Sequence, residues 1–277
     1  MREETTNVDN PKVSVIIPTY NQGKYLAACL DSVFFQDYAN IEIIVVNDAS
    51  TDGTRDILDA YRAAVIHETA SYASFWNEGS NEIERTVHHR YPQKGRELKV
   101  FHNETNLGST RTYNRGFDMC TGAYCTYVAS DDLLHPGMVS TLVEVLETGN
   151  VDFAYSDMVV FDDAGRILRE FRLPAYSFKK SFCDWYLCGV SKIYRKSLHD
   201  RFGYYDEAFL ANDHECYLRF AMGGARFRHV PKVLYSVRDH RQRSVDVHAP
   251  SSWNRLLDES RSLVKKARDH FAGRRKG

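Results

Sequence analysis

The sequence predicts an α/β fold, with a mostly parallel sheet, a mixed second half and a C-terminal helix. Apolar runs at residues 12–17 and 41–46 each end in turn chemistry and are followed by apolar residues at helical spacing. A strand–helix–strand–helix order of this kind needs crossovers and hence parallel pairing. A third β-favouring run, 123–129, ends abruptly in Ser130-Asp131-Asp132. Beyond it the helix-linked pattern gives way to a hairpin. Residues 152–156 and 158–161 are strand-like and turn through Asp162-Asp163-Ala164-Gly165 into 166–171.

Taken in order, Pro18 stops the first run, as a residue without an N–H donor stops a central strand. Thr19 to Gly23 then turn into a helix carrying Tyr25, Leu26, Cys29, Leu30, Val33 and Phe34. The second run ends in Asn47-Asp48-Ala49-Ser50-Thr51-Asp52-Gly53-Thr54, where Ser50, Thr51 or Asp52 can cap the next helix. Residues 62–96 break the pattern: they are polar, with scattered aromatics, a weak helical period over 75–87 and a turn at 92–95. They read as an inserted surface segment, part helix or else ordered only by a ligand or partner. Strand character resumes at 98–102, and after Asn106-Leu107-Gly108 a helix is expected over 109–120, closed by Gly122. Its Arg111 and Asn114 share a face directed at the strand ends. Pro136 opens a helix with Met138, Leu142, Val145 and Leu146. Asn212-Asp213-His214-Glu215 opens another over 216–222, and two short strands follow near 227–230 and 233–237. Trp253, Leu256, Leu257, Leu263, Val264, Ala267 and Phe271 mark a terminal amphipathic helix.

Composition narrows the class. With 43% hydrophobic and 26% charged residues, the 277-residue chain can bury an ordinary globular core. A formal net charge of -1 gives no global attraction to nucleic acid or anionic lipid. The six cysteines show no C-x-x-C spacing, which points to a reducing compartment rather than a disulfide framework or structural zinc. Residues 1–11 are polar and carry acids early, unlike a signal peptide. No apolar run approaches the roughly 20 residues that span a bilayer. A cytoplasmic protein is expected, at most peripheral to the inner face of a membrane.

Ligands of open parallel sheets bind beyond the carboxyl ends of the strands. Pro18, Thr19, Asp48, Asp131 and Asp132 therefore fall on one rim. Two adjacent carboxylates repel unless donors or a cation neutralise them, and a divalent metal bridging to phosphate oxygens is one solution. A solvated helix cap ahead of Pro136 is the other.

Val13-Ser14-Val15-Ile16-Ile17-Pro18-Thr19-Tyr20-Asn21, Val45 to Thr54, Asn106-Leu107-Gly108, Ser130-Asp131-Asp132 and Asn212-Asp213-His214-Glu215 occur in this order. Together they resemble the inverting, non-processive family 2 glycosyltransferases with the Rossmann-like GT-A fold, over roughly 12–244 apart from the insertion. The resemblance implies one domain over 1–245. Residues 12–132 would form its nucleotide-binding half (insertion 62–96) and 133–245 its acceptor half, with a helix and basic tail over 246–277. It implies a nucleotide-sugar donor, most simply uridine-linked, and a glycan, lipid-linked or other hydroxyl acceptor, with no nucleic acid.

By the same resemblance, Pro18, Thr19 and Tyr20 lie against the base, and Asp48 accepts its ring N–H, as suits uracil's imide. Arg111 reaches base or phosphate, or else makes a helix-surface ion pair. Ser130 and Asp131 hold the donor, with Asp131 facing the ribose, while Asp132 binds Mn²⁺ or Mg²⁺ at the diphosphate. Ala129 stands where many members carry an acid, leaving fewer protein ligands, and His240 can complete the metal shell. Asp213 is the general base, with Asn212 in place of the usual Glu, and Glu215 orients the base or acceptor. For both acids the alternative is a carboxylate favoured by a helix N-terminus. Trp185 and Tyr186 either stack on an acceptor sugar or pack in the core. The terminal helix, with Lys265, Lys266, Arg268 and the Arg274-Arg275-Lys276 tail, either contacts an anionic membrane or docks on the domain.

The rival from another class is a non-catalytic sugar-nucleotide-binding domain acting as sensor or scaffold. A nucleotidyltransferase would need a Gly-rich basic loop after the first strand, which Pro18 to Gly23 is not. A processive synthase would carry membrane helices and a Gln-x-x-Arg-Trp element.

Overall fold

A computed structural model describes residues 10–66, 71–88, 91–92, 94–184, 186, 188–240 and 250–274. The first half alternates β1 (Val13–Thr19), α1 (Gly23–Phe34), β2 (Ile41–Asn47) and α2 (Thr54–Ile66). A hairpin, β3 (Ser71–Asn77) and β4 (Glu82–His88), precedes β5 (Arg96–His102), α3 (Ser109–Asp118) and β6 (Tyr124–Tyr127). The second half comprises β7 (Leu133–Leu134), α4 (Met138–Thr148), β8 (Phe153–Asp162), β9 (Ile167–Phe171), a π-helical turn (Lys179–Asp184) and β10 (Lys192–Arg195). It closes with α5 (Ser197–Phe202), α6 (Asn212–Met222), β11 (Phe227–Asp239) and α7 (Pro250–Gly273).

Among the described residues nine strands form one sheet, in the order β5-β2-β1-β6-β10-β8-β11-β7, with β9 beside β8. β5, β2, β1 and β6 pair parallel. β10 runs antiparallel to both β6 and β8, so the sheet is mixed from there on. β1 shows why its apolar run is continuous. Val13, Val15 and Ile17 join the core containing Leu26, Leu30 and Val33 of α1, whereas Ile16 joins the opposite core with Phe117 of α3. A strand covered on both faces has no polar side. At Gly116 a Cβ would sit 2.3 Å from Ile16 Cγ2, so only glycine lets α3 lie this close to β1.

The segment expected to be irregular or part helical is a β-hairpin packed on the domain. Ser74 and Trp76 are buried, whereas Phe75 and Asn77 are only partly so, a period of two where a helical period was expected. Asn77 Oδ1 accepts the Gly79 N–H at 2.8 Å and Asn81 takes φ 57°, which closes the turn. Trp76 packs with Val159 and Val233 in a small third core. Tyr91, at the far end of the segment, is buried and donates to Asp31 at 2.9 Å.

Three boundaries also differ from expectation. α3 ends at Asp118, short of Gly122. β8 is continuous through Asp157, whose carboxylate is buried against His229 Nε2 at 2.7 Å. β11 is one strand rather than two, because register shifts flanking Val233 absorb Pro231 as a bulge. α7 is docked on the domain: Leu263 and Ala267 are buried in the core with Phe182, Cys216 and Phe220, Arg268 Nε donates to the Cys183 carbonyl at 2.7 Å, and Lys265 and Lys266 are exposed. No helix among the described residues is long and apolar enough to cross a membrane. All six cysteines are buried free thiols.

Candidate active site

A pocket of about 320 Å³ opens at the carboxyl ends of β1, β2 and β6. β1 contributes Pro18 and Thr19, followed by Tyr20 and Gln22; Asp48 comes from beyond β2; Ala129, Ser130 and Asp131 follow β6; the first turn of α3 supplies Ser109, Thr112 and Tyr113. Its backbone is held in uncommon shapes, with Asn21 and Ala49 at φ 52° and 59°. The two loops grip each other there: Asn21 N donates to Ser50 Oγ at 2.9 Å, and Thr51 N to Asn21 Oδ1 at 2.7 Å. Thr19 Oγ1 is buried and has no hydrogen-bond partner, an unfilled demand on the pocket wall. Tyr20 stands 46% exposed at the edge.

Asp48 is buried and already accepts three hydrogen bonds, from Asn103 Nδ2 (2.6 Å), Leu107 N (2.8 Å) and Gly108 N (3.0 Å). Its first task is therefore to hold the loop before α3. A carboxylate offers about four acceptor positions, so about one remains for a ligand.

The adjacent acids part company. Asp132 is 1% exposed, and its oxygens accept from Tyr235 O–H and Arg238 N, both at 2.9 Å, which pins the end of β11. It does not line the pocket. Asp131 does, and its Oδ2 lies 2.9 Å from His240 Nε2. The expectation gave the metal to Asp132 and the ribose to Asp131, whereas the placement makes Asp131 the carboxylate paired with His240. Arg238 stiffens this corner, donating from Nε to the Asp131 carbonyl at 3.0 Å. Among the described residues, no group of three or more Cys, His, Asp or Glu is arranged to hold a metal.

Asp213 is in the first turn of α6, where Oδ2 accepts from Tyr186 O–H at 3.1 Å and Oδ1 from His214 N at 2.7 Å. It lines a second cavity, of about 190 Å³, with Tyr186, Ala211, His214 and three residues of α7. Its neighbour Asn212 donates to Thr110 Oγ1 at 2.8 Å, tying the start of α6 to the α3 turn that walls the first pocket.

Besides Asp132 and His240, two more expected site residues line neither cavity. Arg111 pairs with Glu207 at 2.7 Å and is a helix-surface ion pair. Glu215 is buried against Arg219, whose guanidinium also holds the carbonyls of Phe202, Gly203 and Tyr204, so it fixes a loop rather than facing a substrate. Trp185, Arg275 and Lys276 lie outside the described residues.

Sequence reasoning missed Lys192. It is fully buried on β10, donates to the Val190 carbonyl at 2.9 Å and sits 3.2 Å from the ring centre of Tyr127. Burial pulls its ammonium down to about 7, against the opposing pull of Asp213 and Asp132. His214 was also missed as a site residue. Burial lowers it to about 4, so it is neutral near neutral pH, and neither ring nitrogen has a partner.

With this geometry in hand, the chain can be set beside known proteins. Residues 14–74 and 74–203 match the model of glycosyl transferase family 2. The glycosyltransferase GlyG of Streptococcus pneumoniae serotype 4 is 28% identical over 152 residues, which is 55% of this chain and 40% of GlyG. The chain thus spans well under two thirds of that relative. S. aureus TarS in complex with UDP-GlcNAc superposes with a TM-score of 0.62 at 24% identity, over 83% of this chain and 59% of that one. The mannosyltransferase PcManGT of Pyrobaculum calidifontis, in complex with GDP-Man and Mn²⁺, gives 0.59 at 19% identity over 83% of this chain and 57% of that one. These neighbours share the GT-A fold. The chain belongs to glycosyl transferase family 2.

Proposed function

We propose that the protein is an inverting glycosyltransferase that moves a sugar from a uridine diphosphate sugar to an acceptor hydroxyl. The observation that carries this is the pocket at the ends of β1, β2 and β6, with Asp131 and His240 paired at its edge. The sugar nucleotides bound by TarS and PcManGT support the donor class. Residues 12–132 then serve as the donor half, since every residue lining the first pocket falls between Pro18 and Asp131. The acceptor side starts after residue 132 and extends through α7, beyond the expected boundary at 245.

One carboxylate and one imidazole, Asp131 after β6 and His240 just beyond β11, are donor types that suit Mn²⁺ or Mg²⁺ and would be its protein ligands here. We assign this role to Asp131 rather than to Asp132 because Asp131 lines the pocket and pairs with His240, whereas Asp132 does not line it and accepts from Tyr235 and Arg238. When bound, the cation stabilises the charge that grows on the departing diphosphate. The remaining work belongs to the chain. Thr19 Oγ1 and the last acceptor position of Asp48 meet the base; the single imide N–H of uracil suits that one position. Asp213 takes the proton of the acceptor hydroxyl as its oxygen bonds to the anomeric carbon and the bond to diphosphate breaks. One displacement inverts the configuration.

The test is thermal shift with UDP and GDP, each with and without Mn²⁺. UDP with Mn²⁺ should stabilise the wild type strongly, GDP weakly, and Asp131→Asn should lose the metal-dependent part. Equal shifts for UDP and GDP would remove the uridine assignment. Metal-dependent binding without hydrolysis or transfer of any donor would favour the sensor reading.

A further inference from the structure

The second cavity has its own chemistry. α6 gives it Asp213 and His214, α7 gives it Leu256, Ser260 and Val264, and Tyr186 covers one side. α7 is anchored as a wall: Glu259 Oε2 accepts from Leu210 N (2.7 Å) and Ala211 N (2.9 Å), and Arg255 donates to the Ala208 carbonyl at 2.7 Å. His214 is 2% exposed, stacks on Tyr186 at 4.6 Å with planes 13° apart, and leaves both ring nitrogens unpaired. A buried imidazole without partners carries a penalty that a ligand's hydrogen bond removes.

We propose that this cavity is the acceptor subsite and that it takes a neutral aromatic ring bearing a hydroxyl, with the hydroxyl directed to Asp213 and His214. The proposal rests on Asp213 being the base. Size supports a single ring: the cavity is about 190 Å³, and an apolar cavity of about 150 Å³ is enough for benzene. The walls at Ala211, Leu256 and Val264 offer nothing to the several hydroxyls of a bare sugar, which would be buried unpaired there. An anionic substituent would be repelled by Asp213. A neutral imidazole has one donor and one acceptor nitrogen, so it can accept from or donate to the hydroxyl. In the transfer the ring's oxygen bonds to the anomeric carbon, its proton goes to the Asp213 carboxylate, and the diphosphate leaves with the bonding electrons.

The test uses the full chain and 4-methylphenol, with methyl β-glucopyranoside and toluene for comparison, titrated by saturation-transfer NMR. Wild type should bind 4-methylphenol saturably and the glucoside at least tenfold more weakly. Val264→Phe and Ser260→Phe fill the cavity from α7 and should weaken 4-methylphenol at least tenfold, leaving the UDP–Mn²⁺ thermal shift unchanged. His214→Phe should reduce affinity for 4-methylphenol to that for toluene. Ser260 is only half-buried, so its variant carries the test if Val264→Phe does not fold. Equal binding of 4-methylphenol to wild type and a folded filled variant, or equal binding of the glucoside, overturns the proposal. Loss of the UDP shift in every protein, with discrimination among the small probes intact, would instead overturn the donor reading alone.

Discussion

Replacing Lys192 by Met tests the electrostatics around Asp213 and Asp132 most directly. Met keeps the length of the buried stem and removes the charge. The ammonium is held down at about 7 from an ordinary 10.5, first by burial, with Asp213, Asp132, Cys188 and Cys125 pulling the other way. At about 1.4 kcal/mol per pH unit of that gap, keeping the charge buried at pH 7 costs on the order of 4 kcal/mol. Against that stand the bond to the Val190 carbonyl and the contact with Tyr127. These contribute about 1 kcal/mol and about 1–2 kcal/mol, so the variant should be more stable at pH 6.5 by about 1–2 kcal/mol. Between pH 7 and 10.5 the unfolded chain holds the lysine proton and the folded chain does not. Wild-type stability therefore rises with pH across that window relative to the variant, while below pH 7 both states are protonated and the difference is constant. Urea denaturation of both proteins at pH 6.5 and pH 9.5 reads this directly: the variant's advantage should vanish or reverse at the higher pH. A difference that stays the same at both pH values would refute the buried-charge account. Transfer by the variant should fall even where its stability rises, because Asp213 loses its nearby cation.

The neighbouring acids should separate cleanly. Asp132→Asn should cost about 1–3 kcal/mol in urea denaturation by disturbing the acceptors of Tyr235 and Arg238, whereas Asp131→Asn should leave stability nearly unchanged. Asp213→Asn should lower transfer by about 10²–10⁴-fold with the UDP thermal shift retained; wild-type transfer would remove it as the base. Burial would raise Glu42, but the ammonium of Lys99 with donors from Ser14 and Thr121 holds it down at about 2. A depressed carboxylate contributes stability above its ordinary range and loses it as pH falls through the folded value. The stability curves of wild type and Glu42→Gln should therefore converge between about pH 4.5 and 2.

The parallel half of the fold was legible because each of its strands is apolar throughout and ends in turn residues. The hairpin of β3 and β4 was not, although Asn77, Gly79 and Asn81 are turn residues; its buried positions are too few to outweigh an accidental helical period. Pro231 made one strand look like two, because a bulge leaves no mark in local sequence. The pocket was readable from strand ends, but the different surroundings of Asp131 and Asp132 were not. Their side chains diverge because Tyr235 and Arg238, about a hundred residues later, claim Asp132. Lys192 gave no signal for a related reason: β10 lies inside the sheet and is buried on both faces, so polarity along it does not mark an outward side.

Leu256, Ser260 and Val264 are spaced four apart, so a single stripe of the 24-residue α7 forms one wall of the second cavity. The first pocket takes nothing from this helix. On the reading proposed above, the choice of acceptor and the recognition of the donor base are thus set in separable parts of the chain. On that reading, exchanging three side chains on one helix retunes the choice of acceptor while the lining of the first pocket, more than a hundred residues upstream, stays untouched.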